Sequence, residues 1–169
     1  MSGPLHRAKR PTTVLAGPYG HPLHPILVTV PIGAWVTSLV FDVASHVVDD
    51  SAFLVKGSVW LIAVGVIGAV AAAMTGFLDF LGIQPGTAAF RTGLAHLSLN
   101  LAITVAYGVS WAWRASGGEP SEPVGWGPLA LSAISLAALA VSGSLGGKLA
   151  YRYGVRVADE ATQAKGFGA

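Results

Sequence analysis

Four long stretches of the chain contain no Asp, Glu, Lys or Arg: Gly20–Phe41, Gly57–Leu78, Thr92–Trp113 and Pro123–Gly147. A helix that crosses a hydrocarbon core of about 30 Å needs roughly 20 apolar residues, and each stretch is long enough. Lipid offers no partner to a backbone N–H or C=O, so a spanning segment must satisfy both internally, as a helix does. The alternation expected of a membrane β-barrel is missing. The pattern predicts an all-α fold, an integral membrane four-helix bundle with helices over about 22–46, 54–81, 90–114 and 124–150. A basic polar N-terminal arm (1–19) precedes this transmembrane domain (20–157), and a flexible C-terminal tail (158–169) follows it. Pro22 and Pro25 suit a first helical turn, and Pro31 is expected to kink the first helix. The Gly-, Pro- and Glu-rich segment Gly117–Pro128 reads as a loop. The first apolar run exceeds a signal-peptide core of roughly 7–15 residues and lacks a small-residue cleavage site, so it reads as a retained helix.

Composition agrees, with 53% hydrophobic and 11% charged residues, against about 25% charged in soluble domains. A net charge of only +2 gives no reason to expect nucleic acid. The absence of cysteine excludes disulfides, Cys-ligated zinc, iron–sulfur clusters and covalently attached c-type haem. Charge also sets an expected orientation. Arg7, Lys9 and Arg10 precede the first helix, Arg91 lies in the second loop, and Lys148, Arg152, Arg156 and Lys165 fall at or beyond the last helix end. Only Lys56 and Arg114 belong to the other side, so eight of the ten Lys and Arg fall together. The positive-inside rule makes that side cytoplasmic, with both termini inside and the chain in an inner (cytoplasmic) membrane. Trp60, Trp111, Trp113 and Trp126 are then expected at the outer interface, and Phe77, Phe80, Phe90, Tyr151 and Tyr153 at the inner one.

Small residues recur at four-residue spacing in the second helix (Gly65, Ala69, Ala73 beside Gly68, Ala72, Gly76) and the fourth (Ala138, Ser142, Gly146). Such stripes let helices approach closely in lipid and are expected to pack within one bundle; a homo-oligomer interface is the other use. Polar residues within a membrane are costly, so their positions carry information. His21 and His24 open the first helix, Asp79 closes the second, Arg91, His96 and Asn100 begin the third, and Tyr151, Arg152 and Tyr153 end the fourth. All fall at one membrane depth. Asp79 and Arg91 flank a short loop and read as an ion pair, and Asp42 with His46 reads as a local pair four residues apart. His6 lies in the arm and carries little weight.

Three motifs resemble the DUF2231 family of small bacterial four-helix membrane proteins: Gly20-His-Pro-Leu-His-Pro25 with Pro31-Ile-Gly33, Thr75-Gly-x-x-Asp79, and Gly146-Gly-Lys-Leu-Ala-Tyr-Arg-Tyr-Gly-Val-Arg-Val157. The resemblance covers about residues 18–157 and implies the four-helix membrane fold. Some relatives are joined to a Rieske-type iron–sulfur domain, which implies a setting in membrane electron transfer; this chain has no cysteine to build one. Many members carry a histidine where this chain has Tyr153, so a role needing that histidine is not carried over.

The leading functional reading is a non-catalytic accessory or partner-binding subunit of a membrane assembly, in contact with the bilayer and with other membrane subunits or a redox partner. The alternative is a redox-associated protein binding b-type haem on the cytoplasmic side. Its axial pair would be His24 and His96, with Arg91 and Asn100 completing the cofactor site. A divalent metal on His21, His24, His96 and Asp79 is the variant of that alternative. No nucleophile elbow and no phosphate-binding glycine loop is present, so no enzyme is expected.

Overall fold

Proline shapes the first span. In the computed structural model, which describes residues 3–17, 21–117 and 122–168, Pro25 sits in the first turn of α2 (His24–Leu27). The helix breaks at Val28 and resumes as α3 (Thr29–Ala44). The cause is Pro31, which has no N–H to offer the carbonyl four residues back and whose ring crowds that carbonyl. The other spans are α4 (Ala52–Leu81), α5 (Ala88–Ala115) and α6 (Trp126–Gly147), the last running on through a π turn over Lys148–Arg152. Thr87 caps α5 by accepting from the Phe90 N–H at 3.1 Å. Four helices, counting His24–Ala44 as one, are long and apolar enough to cross a membrane, and every regular element among the described residues is helical. Gly20 of the first motif and part of the Gly117–Pro128 loop lie outside the described residues.

Successive helices run antiparallel and close into a ring, α3 touching both α4 and α6. The middle of the bundle is a core of Trp35, Ile62, Ile103 and Tyr107. Trp35 and Tyr107 stack with centroids 4.1 Å apart, and each sends its polar atom to a carbonyl, the indole N–H to Ile62 and the hydroxyl to Ser132. Such rings fit because small residues face them. A Cβ at Gly65 would strike the Trp35 indole, and one at Gly68 would lie 2.6 Å from Val30. The small-residue stripe of α4 is therefore the seat of the first span, as expected for packing within one bundle. Outward-facing positions are large and apolar: Trp60, Ile67, Leu101 and Ile134 are all exposed, as suits helices solvated by lipid.

The terminal segments carry more structure than their composition predicts. The arm holds α1 (Pro4–Lys9) and a 3₁₀ turn over Val14–Ala16, and it is tied to the bundle by Thr12 Oγ1, which donates to the Leu78 carbonyl at 3.0 Å. The expected flexible tail contains α7 (Glu160–Lys165). Its first turn is capped by Asp159, whose carboxylate accepts from the Thr162 N–H at 2.8 Å and is held below its usual range by that contact. The arm therefore lies against one end of the bundle, with the tail beside it through the bond from Lys9 Nζ to the Ala158 carbonyl; this is here called the terminal end, and the opposite is the loop end.

Candidate functional site

Two polar layers lie inside the bundle. At the loop end Asp42 is fully buried and meets Arg114 in a two-pronged ion pair, Nη1 to Oδ1 at 2.7 Å and Nη2 to Oδ2 at 2.8 Å. Four serines surround or extend it, three from α4, α5 and α6 and one from the C-cap of α3. Ser58 donates to Asp42 Oδ1 at 2.6 Å and accepts from Arg114 Nη1. Ser110 and Ser132 accept from Arg114 Nε and Nη2, and Ser45 donates to the Asp42 carbonyl while accepting from the Val124 N–H. The expected Asp42–His46 pair is corrected here. The Asp42 carboxylate is committed to Arg114 and Ser58, and His46 instead stacks on Trp126 with centroids 4.7 Å apart.

At the terminal end the structure brings His24 and His96 together. Their ring centroids lie 6.2 Å apart with planes at 87°. His24 Nδ1 is 2.8 Å from the Ala72 carbonyl on α4, and His96 Nδ1 is 2.9 Å from the Ser142 carbonyl on α6. A carbonyl oxygen only accepts, so each Nδ1 carries its proton. When the ring is neutral, its lone pair is then on Nε2. Asn100 stands one turn beyond His96. Its two N–H groups are matched by the two shortest acceptors, Ser142 Oγ at 2.6 Å and the His96 carbonyl at 2.8 Å. The approach of Asn100 Nδ2 to the His96 ring nitrogens at 3.3 and 3.4 Å is thus proximity rather than bonding. Glycine admits both rings: a Cβ at Gly76 would lie 2.7 Å from His24 Nδ1, and one at Gly146 would lie 3.1 Å from His96 Cε1.

Asp79 is buried at the same end, and its partner is not Arg91. Arg156 Nε lies 2.9 Å from Asp79 Oδ1, close enough for an ion pair although the N–H is not aligned as a hydrogen bond. The Arg156 side chain is only 6% exposed, and its Nη1 has no hydrogen-bond partner among the described residues. Arg91 is exposed and donates to the Gly86 carbonyl at 3.2 Å. The reason is chain direction. Gly154 and Arg156 both have positive φ, +68° and +60°, and this left-handed turn returns the chain toward α4 after the last span. Arg156 also binds the arm, its backbone N–H donating to the Ala8 carbonyl at 2.9 Å and its Nη2 to that of Ala16 at 3.3 Å.

Of the residues singled out in the sequence, the structure thus joins His24, His96 and Asn100. Asp79 takes a different partner, and Arg91 and His21 are exposed. No group of three or more His, Asp or Glu among the described residues is placed to hold a metal ion, so the set of His21, His24, His96 and Asp79 is not assembled. The Tyr153 ring lies 5.7 Å from Lys148 Nζ. Sequence reasoning missed Arg114, Arg156 and Trp35. The serines recurring near the loop-end helix termini were the available signal for the first; nothing local marks the other two.

Each quoted motif supplies part of this end: His24 from the first, Gly76 and Asp79 from the second, Gly146, Gly154 and Arg156 from the third. Comparison with curated proteins and with solved structures finds no significant match. A family model described as a predicted membrane protein, DUF2231, matches residues 20–159. That is most of the chain, all four spans and every residue of the histidine layer, and the protein belongs to the DUF2231 family.

Proposed function

We propose that this chain is a redox-associated subunit of a membrane assembly, holding one b-type haem between His24 and His96 and carrying out no reaction of its own. The observation that carries the reading is the adjacent pair of imidazoles, each anchored through Nδ1 to a carbonyl of a neighbouring helix. Metal-bound histidines almost always donate their other nitrogen in this way, which fixes the tautomer and aims Nε2. A haem bound at this end would take its iron ligands from His24 and His96, whose ring centroids lie 6.2 Å apart. A bare ion would need further protein ligands, and no third His, Asp or Glu joins the pair among the described residues. A porphyrin brings its own four equatorial nitrogens, and the two histidines then suffice. Haem supplies one-electron chemistry when bound; the chain supplies ligands, their orientation by the Ala72 and Ser142 carbonyls, and a buried cation at the same end in Arg156.

The proposal places this end on the cytoplasmic side of a bacterial inner membrane, supported by the eight Lys and Arg gathered there. Its partners are other membrane subunits or a redox protein. The test is titration of haemin into the purified apo-protein in detergent. The reading expects saturation at one haem per chain with a low-spin spectrum, absent in His24→Ala and in His96→Ala. Equal, weak haemin uptake by all three proteins would refute it.

One observation favours a second reading. The Nδ1 bonds tie α2 to α4 and α5 to α6, so the same histidines can serve a non-catalytic accessory subunit as pins between helices. That reading expects no haem and a loss of stability in both alanine variants.

A further inference from the structure

A cleft of about 540 Å³ opens between the N-terminal arm and the turn after α4, lined by His6, Arg7, Arg10 and Thr12 on one wall and by residues 81–85 on the other. We infer that it binds a phosphate-bearing anion, and that the occupant is the headgroup of an anionic phospholipid. The volume is in the range of ligand clefts, roughly 300–1,000 Å³. The charge is available: Arg7 and Arg10 are exposed, and neither guanidinium has a hydrogen bond or ion pair among the described residues. Asp159 acts on Lys9 and Arg10 while its carboxylate caps α7.

Position selects the lipid over a soluble anion. The cleft sits where α4 ends, and Leu81, in the last turn of that span, lines it while remaining 59% exposed. The arm beside it exposes Leu5, Val14 and Leu15 at 58, 76 and 75%. Apolar side chains alternating with cations at the end of a transmembrane helix describe a segment lying in the headgroup region, its leucines toward acyl chains and its arginines toward phosphates. The arm is held in that place by Arg156, Thr12 and Lys9, the last donating to the Ala158 carbonyl at 3.2 Å, so the cleft is built rather than left to a loose tail. The inference is independent of haem and of which side of the membrane this end occupies.

The test is native mass spectrometry of the full-length protein in detergent, titrated separately with phosphatidylglycerol, phosphatidylcholine and inorganic phosphate. Phosphatidylglycerol is expected to bind wild-type protein and to bind Arg7→Gln/Arg10→Gln about thirtyfold more weakly, from about fivefold per cation. Arg152→Gln/Lys165→Gln, which removes the same charge at the same end outside the cleft, is expected to bind like wild type. Neither double substitution touches a buried contact, so both proteins should fold and incorporate haemin alike. Inorganic phosphate binding with the same dependence on Arg7 and Arg10, without phosphatidylglycerol selectivity, would overturn the lipid assignment. Equal loss in both double variants, or equal binding of phosphatidylcholine, would overturn the site.

Discussion

At the loop end Arg114 finds an acceptor for each of its five N–H groups, whereas at the terminal end Arg156 keeps Nη1 without one. Both arginines face an aspartate, and both are nearly buried. The Asp42–Arg114 layer is closed: every Arg114 donor has an acceptor. Among the described residues the terminal layer is less fully satisfied, with a misaligned ion pair and an Arg156 Nη1 that has no acceptor. Buried polar groups are normally satisfied, so an unsatisfied set calls for an explanation in function. The loop-end layer joins all four spans, and the proposed function rests on the terminal one.

The largest effect should come from breaking the closed layer. Arg114→Met leaves the Asp42 carboxylate buried without its partner, and removing one member of such a pair costs about 3–5 kcal/mol. Thermal unfolding in detergent should show this, and Asp42→Asn combined with Arg114→Met should recover most of it. A loss as small as that of an exposed pair would show the layer to be hydrated rather than closed.

The histidines sharpen the contrast. His24→Ala and His96→Ala each remove one cross-helix bond, and in lipid such bonds contribute about 0.6 kcal/mol on average and at most about 1.7. Both variants should therefore stay folded, as judged by circular dichroism melts, while haemin binding disappears. Large destabilisation instead would make the histidines structural pins. Gly76→Ala puts a Cβ 2.7 Å from His24 Nδ1 and must displace that ring. Haemin affinity should fall about tenfold, or about 1.4 kcal/mol. Gly146→Ala meets His96 at 3.1 Å, and its effect should be smaller because the neighbour gives by only a few tenths of an ångström. The smallest effect belongs to the core between the layers. Tyr107→Phe deletes the 3.2 Å bond to the Ser132 carbonyl, with an expected loss of about 0.6 kcal/mol and no change in haemin binding.

The four spans were legible because charge-free runs of that length have few other uses. His24 and His96 were legible as a pair because both fall at the same depth on different helices. Asp42 and Arg114 were not, because each sits one residue beyond a charge-free run, where a charge reads as the edge of a loop. In the folded chain each of these edges turns inward, and serines from neighbouring helices supply what water would. Arg156 was hidden for a different reason. It lies beyond the last span, and only the left-handed turn at Gly154–Arg156 brings it back to Asp79. The nearer Arg91 was the natural partner by sequence distance, but separation along the chain says little once a turn reverses it. The arm escaped notice because its stability comes from contacts with the tail and α4 rather than from its own composition.

The most direct test of the terminal layer is the absorption spectrum of protein purified from cells supplied with haem precursor, oxidised and then reduced with dithionite. The account predicts a b-type Soret band and a sharp reduced α band at one haem per chain, both lost in His24→Ala and in His96→Ala. A colourless protein from such cells would contradict it and leave both polar layers as structure alone.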